Sequence, residues 1–360
     1  MTGPLRIAVM EGDAIGPEIV PAALRVAEAA AERAGAEAIE WVPLPMGAAS
    51  VAAVGRCIPP ENFPVLDSCA GWIVGPHDSQ SYGEEWQRGP DRVPSAQLRV
   101  RYDLFANIRP ARSRPGVKSL REGVDLVTVR ENTEGLYSDR NMFAGDGEVM
   151  PDPDSVITMG LFTRARIRRI AIAAFELARA RQGRLTIVHK SNVMPRSFGL
   201  WLSECRDVAR SYPDVPTDDS LFDSMAALLV RRPATFDVIL TENLTGDVLS
   251  DLVGEVVGGL GCSASLNAGA EHAMAQAAHG SAPDIAGRNL ANPVGMIESA
   301  AMLLRWLGQQ RFSTALVEAA DIAERAVSRV LAEGVRTADL GGSSTTTEVR
   351  DAIVRAVAAG

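Results

Sequence analysis

Asp247 and Asp251 lie four residues apart in the run TENLTGDVLSD, residues 241–251. In a helix that spacing puts both carboxylates on one face. Like charges so placed repel, and a divalent cation is a natural compensator because hard cations take oxygen ligands. The same spacing also suits a solvated acidic face in which Thr245 or Asp247 caps the helix N-terminus. Asp223 lies in a second helical run, DSLFDSMAALL, whose other face is apolar. A carboxylate amid that stripe would be costly to bury unpaired, which makes Asp223 a candidate third ligand.

Anion chemistry is written into residues 99–130. Eight basic residues (Arg99, Arg101, Arg109, Arg112, Arg114, Lys118, Arg121 and Arg130) face three acidic ones (Asp103, Glu122 and Asp125) in a chain of net charge −9. Arginine forks suit bidentate binding of carboxylates. Arg109 and Arg130 each follow an apolar strand candidate, DLFANI or VDLVTV. Ligands of open α/β sheets collect at the carboxyl ends of strands, so these two are read as aimed at an anionic ligand. Arg101, Arg112, Arg114, Lys118 and Arg121 are read as solvated surface. Lys190 also follows a strand candidate, LTIVH. It suits a general base if its pKa is depressed, and equally a surface lysine. Tyr137, closing RENTEGLY, suits a proton donor or a tyrosine packed at a strand end.

The elements that must position these groups alternate. Strand candidates are 5–10, 38–42, 71–75, 103–108, 124–129, 185–189 and 236–241. Helix candidates are 17–34, 162–181, 195–211, 218–231, 246–257, 294–308, 312–332 and 345–358. Short apolar runs between amphipathic helices predict an α/β fold with a largely parallel sheet. Residues 138–160 are polar and aperiodic, as in a projecting arm. GEVVGGLG, residues 254–261, reads as a hinge or as a helix end followed by a tight loop. The turn GDAIGPE, residues 12–18, joins a strand to a helix but lacks the G-x-G-x-x-G dinucleotide fingerprint, and there is no Walker A motif.

Composition narrows the function classes. With 360 residues there is room for two domains. The acidic balance argues against nucleic acid as a partner. No apolar run is long enough to span a bilayer, and the first strand begins too early for a signal peptide to precede it. Cys57, Cys69, Cys205 and Cys262 lack metal-ligand spacing. A cytoplasmic protein with reduced thiols is expected.

Taken together, seven motifs resemble the isocitrate/isopropylmalate dehydrogenase family, the metal-dependent β-decarboxylating dehydrogenases. They are GDAIGPEI (12–19), LRVRYDLFANIRP (98–110), VRENTEGLY (129–137), VHKSNV (188–193), NLTGDVLSD (243–251), HGSAPDIAG (279–287) and ANP (291–293). The resemblance implies a two-domain fold that is not a Rossmann domain. Residues 1–103 with 254–360 would form one body and 104–253 the other, in a homodimer clasped by the arm at 138–160. It implies that Arg99, Arg109 and Arg130 bind the carboxylates of a malate derivative. Asp247 and Asp251 of one subunit and Asp223 of the other would hold Mg²⁺ or Mn²⁺. Lys190, also given across the interface, would be the base and Tyr137 the proton donor. Asn192 would lie near the nicotinamide, and His279, Gly280, Ser281, Ala282, Asp284, Ile285 and Asn292 would bind the cofactor. An Asp followed by an apolar residue, here Asp284 and Ile285, is the pattern of NAD-using members, because a carboxylate accepts the ribose hydroxyls and repels a 2′-phosphate. The implied reaction is NAD-dependent oxidation at C2 followed by loss of the β-carboxylate as CO₂.

Two departures from the family pattern stand out, the first bearing on the substrate and the second on the electrostatics beside the nicotinamide. Isocitrate enzymes usually carry a Ser-x-Asn pair before the first arginine; Val93 and Ser95 stand there, and Ser95 also replaces the leucine usual in isopropylmalate enzymes. Arg92 or Gln97 is a candidate to meet a polar substituent at C3. Gln276 replaces the usual glutamate of a Glu-x-x-His run. A tartrate- or D-malate-type enzyme is the alternative. A non-catalytic regulatory subunit is disfavoured, since every chemical position carries the expected residue type.

Overall fold

The computed structural model describes residues 4–87, 91–137, 142, 147–181 and 183–360. In chain order the elements are β1 (Leu5–Met10), α1 (Gly16–Arg33), β2 (Ile39–Pro43), α2 (Ala48–Val54), α3 (Asn62–Asp67), β3 (Gly71–Val74), α4 (Glu84–Gln87), α5 (Pro94–Arg101), β4 (Ala106–Arg112), β5 (Asp125–Glu131), β6 (Glu148–Asp152) and β7 (Ser155–Thr158). There follow α6 (Arg164–Arg181), β8 (Leu185–His189), α7 (Ser197–Ala209), β9 (Thr217–Leu221), α8 (Phe222–Arg231), β10 (Val238–Thr241), α9 (Asn243–Val257), β11 (Leu266–Ala268), β12 (Ala273–Ala275), α10 (Val294–Arg311), α11 (Thr314–Ala332) and α12 (Thr346–Ala359).

Ten strands form one mixed sheet in the order β2-β1-β3-β12-β11-β4-β5-β10-β8-β9. The five on one side come from the two ends of the chain and the five on the other from its middle. The seam is the antiparallel pair β11–β4, and β4–β5 and β11–β12 are antiparallel too. The remaining pairs are parallel. Parallel strands are buried on both faces, hence the unbroken apolar runs. Along β1, Ile7 and Val9 join a core shared with α1, α10, α11 and α12, whereas Ala8 and Met10 face Trp72 and Leu66 on the other side. Along β5, Val127 and Val129 pack with α6 and α7, while Leu126 packs with α8 and α9. Each half is therefore a helix–sheet–helix sandwich, and each fully buried aliphatic side chain contributes about 2 kcal/mol.

Several strand and helix boundaries differ from expectation. The fourth strand begins at Ala106 rather than at 103, because Asp103 takes a left-handed turn (φ 49°) after α5. It runs on to Arg112, and β5 runs to Glu131, so Arg109 and Arg130 lie within paired strands rather than after them. The first residues of the predicted 218–231 helix are instead the edge strand β9, paired with β8. Its consecutive polar residues, Thr217 to Ser220, suit a solvated sheet edge. Strands β11 and β12, three residues each, were too short to carry a periodic signal.

GEVVGGLG is a helix end and loop: α9 stops at Val257, and Gly258 and Gly259 take φ of 151° and 125°. In the projecting segment, residues 138–141 and 143–146 lie outside the described residues. The rest of it contains the hairpin β6–β7, which exposes Val149, Met150, Val156 and Ile157. No helix among the described residues is long and apolar enough to cross a membrane, and the four cysteines form no disulfide.

The turn after β1 requires glycine at position 12, where φ is 75° and a Cβ would fall 2.1 Å from the Pro76 carbonyl oxygen. Gly12→Ala is expected to cost about 3 kcal/mol. Gly35→Ala, at φ 67° with open space around it, is expected to cost about 1 kcal/mol. Urea denaturation of both variants checks this ordering; equal midpoints would contradict it.

Candidate active site

Strands β5, β8 and β10 run parallel, so their carboxyl ends share one edge. Helix α9 starts directly from β10, and Glu242 at the joint is its cap, accepting from Leu244 N and Thr245 N at 3.1 Å each. Neither Thr245 nor Asp247 caps this helix, because β10 ends at Thr241 and the first free amides lie just beyond. Asp247 and Asp251 consequently sit on successive turns within α9, which packs against β4 and β5.

The β4–β5 register pairs Arg109 with Thr128 and Asn107 with Arg130, placing all four on one face. Arg109 Nη1 reaches Asp251 Oδ1 at 3.0 Å, Asp247 Oδ1 at 3.2 Å and Ser250 Oγ at 2.8 Å. Arg130, 1% exposed, pairs with Asp247 Oδ1 and donates from Nε and Nη2 to Asn243 Oδ1 at 3.0 and 2.8 Å. The Asn243 amide in turn donates to the Glu134 carbonyl at 3.0 Å. The Tyr137 hydroxyl donates to Asp247 Oδ2 at 2.7 Å.

These contacts split the two aspartates. Burial works to raise the Asp247 carboxyl, but the charges of Arg130 and Arg109, the Tyr137 hydrogen bond and the charge of Arg99 outweigh it and hold it below its ordinary value. Burial raises Asp251; Arg109 opposes the rise, and the neighbouring Asp247 charge adds to it. Two further basic residues also proved engaged rather than solvated. Arg114 meets the buried Glu298, and Arg112 joins Asp125 and Glu324 at 3.2 and 3.3 Å. Lys118 is exposed, as expected.

Lys190 and Asp223 are an ion pair with each other. The Asp223 side chain is 63% exposed at the start of α8, so the expected burial amid apolar neighbours does not hold. The apolar stripe turns inward through Met225 and Leu229, leaving Asp223 on the outer face. Among the described residues no three His, Cys, Asp or Glu gather as a metal-binding group.

A separate cavity of about 380 Å³ is lined by His279, Gly280, Ala282, Ile285 and Asn292, together with Ile15, Leu290 and Asp339. Ser281 joins its wall to the GDAIGPE turn, its carbonyl accepting from Ile15 N at 3.2 Å. Exposed Asp284 precedes Ile285, while Asn192 is exposed in the turn after Lys190 and does not line this cavity. The Gly280 carbonyl accepts at 3.0 Å from His279 Nδ1, which must carry the proton. Nε2 is then a bare acceptor, buried and without a partner. Burial lowers the pKa of this ring and keeps it neutral.

The family model for isocitrate/isopropylmalate dehydrogenase matches residues 6–353. The chain belongs to this family. It is 42% identical over 98% of both chains to an isocitrate/homoisocitrate dehydrogenase of Thermus thermophilus. It is 38% identical, again over 98% of both, to a 3-isopropylmalate/3-methylmalate dehydrogenase of Methanocaldococcus jannaschii. Its fold matches the crystal structure of isocitrate dehydrogenase from Methylococcus capsulatus with a TM-score of 0.85, at 36% identity over 98% of this chain and 99% of that one. It is thus a decarboxylating dehydrogenase acting on a CH–OH group.

The residues present fit the groups this family uses. Asp247 and Asp251 are hard oxygen donors with side chains 30% and 44% exposed, and they already draw guanidinium charge to the place a cation would take. The 380 Å³ cavity is mostly apolar, with Asn292, Asp339 and the bare His279 nitrogen as its polar groups, and that nitrogen is an acceptor suited to an amino group such as that of adenine. Sequence reading missed Asn243 and Ser250, which orient the arginines, and Ile15 and Asp339, which line the cavity. Asn243 was legible in principle as a polar residue at a strand–helix joint; Asp339 arrives from 47 residues beyond Asn292, which donates to it at 2.9 Å.

In buffer free of divalent ions, Asp247→Asn is expected to lose about 3 kcal/mol at pH 7, because Arg130 stays buried without its counter-charge. Since Asp247 is lowered in the folded chain, its stabilisation is present above the unfolded value near 4 and lost as pH falls through the lowered folded value. Variant and parent should converge there. Asp251→Asn is expected to be neutral or stabilising at pH 7, because ionising a raised carboxyl costs the fold. Urea denaturation at both pH values checks this; equal losses for the two variants would contradict it.

Proposed function

We propose that the chain is an NAD-dependent, Mg²⁺- or Mn²⁺-requiring oxidative decarboxylase of a malate bearing a polar substituent at C3. It would work in the cytoplasm as a homodimer whose active sites each draw on both copies. The observation that carries the reading is the Asp247/Asp251 pair embraced by Arg109 and Arg130, with Tyr137 on Asp247. Once a cation takes over the two aspartates, the same guanidinium donors, with Arg99, are available to the substrate carboxylates. A bound Mg²⁺ or Mn²⁺ would supply Lewis-acid polarisation at the C2 oxygen, and NAD would accept the C2 hydride.

The chain's own groups move the protons. Lys190 takes the C2 hydroxyl proton, the C3–carboxylate bond breaks to release CO₂, and the Tyr137 hydroxyl returns a proton to C3. Its composition supports the first role. Lysine occurs twice, at 118 and 190, among 36 basic residues. An arginine cannot be deprotonated in a protein, whereas a lysine can. Lys190 and Asp223 sit together but apart from the Asp247 cluster, which suits their delivery to the site of a second copy. The exposed apolar hairpin β6–β7 favours such a partner, as do Val230 on α8 and Val248 on α9. We further propose that residues 1–103 with 254–360, and 104–253, move as two bodies, corresponding to the two halves of the sheet.

The substituent reading rests on Ser95. It is buried on α5, one turn before Arg99 on the same face, with its Oγ 3.1 Å from His77 Nε2. A hydroxyl and an imidazole offer hydrogen bonds where an isopropyl group would want carbon. Gln97 is engaged elsewhere, donating to the Arg92 carbonyl at 2.7 Å, and is set aside as the contact. Asp284 supports NAD over NADP, since its carboxylate would repel a 2′-phosphate.

Purified protein with Mg²⁺ and NAD is to be offered isopropylmalate, isocitrate, homoisocitrate, tartrate and D-malate while NADH absorbance is followed. Turnover is expected with the polar 3-substituted members and to vanish in Lys190→Met. Ser95→Leu should shift preference toward isopropylmalate by about tenfold. Preference of the parent for isopropylmalate, or equal kcat/KM with NADP, would contradict the substituent or the cofactor assignment respectively.

A further inference from the structure

His189 ends β8 and immediately precedes Lys190, and none of the chemistry above uses it. It is buried, and its ring is held from both sides. The Ser191 backbone N–H donates to Nδ1 at 3.3 Å, and Ser191 Oγ lies 2.9 Å from the same atom. A backbone N–H can only donate, so Nδ1 is the bare nitrogen and Nε2 carries the proton. Nε2 therefore donates to Asp219 Oδ2 at 3.2 Å. The other Asp219 oxygen accepts from Arg206 at 2.6 Å, which keeps the carboxylate ionised and in place.

The β8–β9 register sets His189 opposite Leu221 and Ile187 opposite Asp219. Asp219 thus lies two residues before His189's opposite number, and Asp223 two residues after it. The end of β8 is tied to β9 and the start of α8 by two successive rungs, His189–Asp219 and Lys190–Asp223. The first rung is part-buried and the second exposed. Beyond them the Lys190 carbonyl accepts from Val193 N and Met194 N at 3.1 and 2.9 Å, closing the turn. A long, flexible lysine in an exposed rung gains its direction from the backbone that carries it. That backbone is pinned on one side by the Nδ1–Ser191 bonds and on the other by the turn.

We propose that His189, held between Asp219 and Ser191, is the positioning residue that fixes the turn carrying Lys190 and so the direction in which its Nζ points. The consequence for turnover rests on Lys190 being the base; the geometric half does not. A base displaced by about 1 Å loses up to a hundredfold in rate while remote binding persists. The neutral ring with its proton on Nε2 is the form that serves, because a doubly protonated ring can no longer accept from Ser191. Asparagine at 189 retains an acceptor near the Nδ1 position; alanine retains nothing.

The chain's two lysines make the test clean. Protein labelled at lysine Cε with ¹³C gives two side-chain signals, with exposed Lys118 as internal reference. His189→Ala is expected to move the Lys190 signal to the position of a mobile lysine beside Lys118. Its kcat, on whichever member of the substrate panel turns over fastest, should fall about tenfold or more with KM for NAD unchanged. The primary deuterium isotope effect from C2-deuterated substrate should rise, and His189→Asn should restore both signal and rate substantially. Asp219→Ala, which frees the ring without touching the turn, should reproduce the effects in smaller measure, and serves if His189→Ala does not fold. An unmoved Lys190 signal in both His189→Ala and Asp219→Ala would overturn the proposal. So would a rate loss matching the fraction folded with an unchanged isotope effect. If Lys190→Met still turns over, the base assignment falls while the signal continues to decide the positioning role.

Discussion

The repulsion between Asp247 and Asp251 is the constraint around which this molecule is arranged. Two carboxylates one turn apart on a helix need positive charge, and the fold supplies it from β4 and β5. The antiparallel register puts Arg109 and Arg130 on the same face, and α9 lays its acidic turns across them. Burying Arg130 costs several kcal/mol in desolvation unless its donors are satisfied. Asn243 and Asp247 satisfy them, and the Glu242 cap fixes the helix start that brings both within reach. Arginine thus stabilises the carboxylates, and the carboxylates hold the arginines in place.

That arrangement goes with the three antiparallel pairings, β12–β11, β11–β4 and β4–β5, in an otherwise parallel sheet. The antiparallel register of β4 and β5 lets two arginines from adjacent strands meet one helix. The insertion of β11 and β12 then joins the terminal half of the sheet to the middle half at the same place, so the arginine cluster lies beside the seam, with the His279 cavity formed by terminal segments. Ion pairs also link the two halves, Arg114 with Glu298 and Arg112 with Glu324.

Much of this was legible in the sequence for physical reasons. Buried parallel strands such as Leu185–His189 read as apolar runs, and α1, α11 and α12 carry the 3.6-residue period with caps or breakers at their ends. The identity of the charged residues was legible because each carries a specific chemistry in a specific order. Their partners were not. That Arg114 would find Glu298, 184 residues away, or that Glu242 would cap α9, depends on tertiary distances no local pattern encodes. Asp223 illustrates the opposite error: an apolar stripe implied burial, but the residue falls on the outer side of that stripe. The strand β9 was hidden because an edge strand of polar residues looks like a helix start.

The carboxylate pair and the lysine–aspartate pair, separate within one chain, are proposed to complete one site across two copies. Mixing Lys190→Met protein with Asp247→Asn protein, under conditions where native mass spectrometry shows mixed dimers, tests it most directly. In a two-fold dimer with shared sites, one of the two sites in each mixed dimer carries both intact groups. Random mixing should then restore about a quarter of parental activity from two inactive proteins. Mixed dimers that form and remain inactive would contradict the claim and place all the chemistry within a single chain.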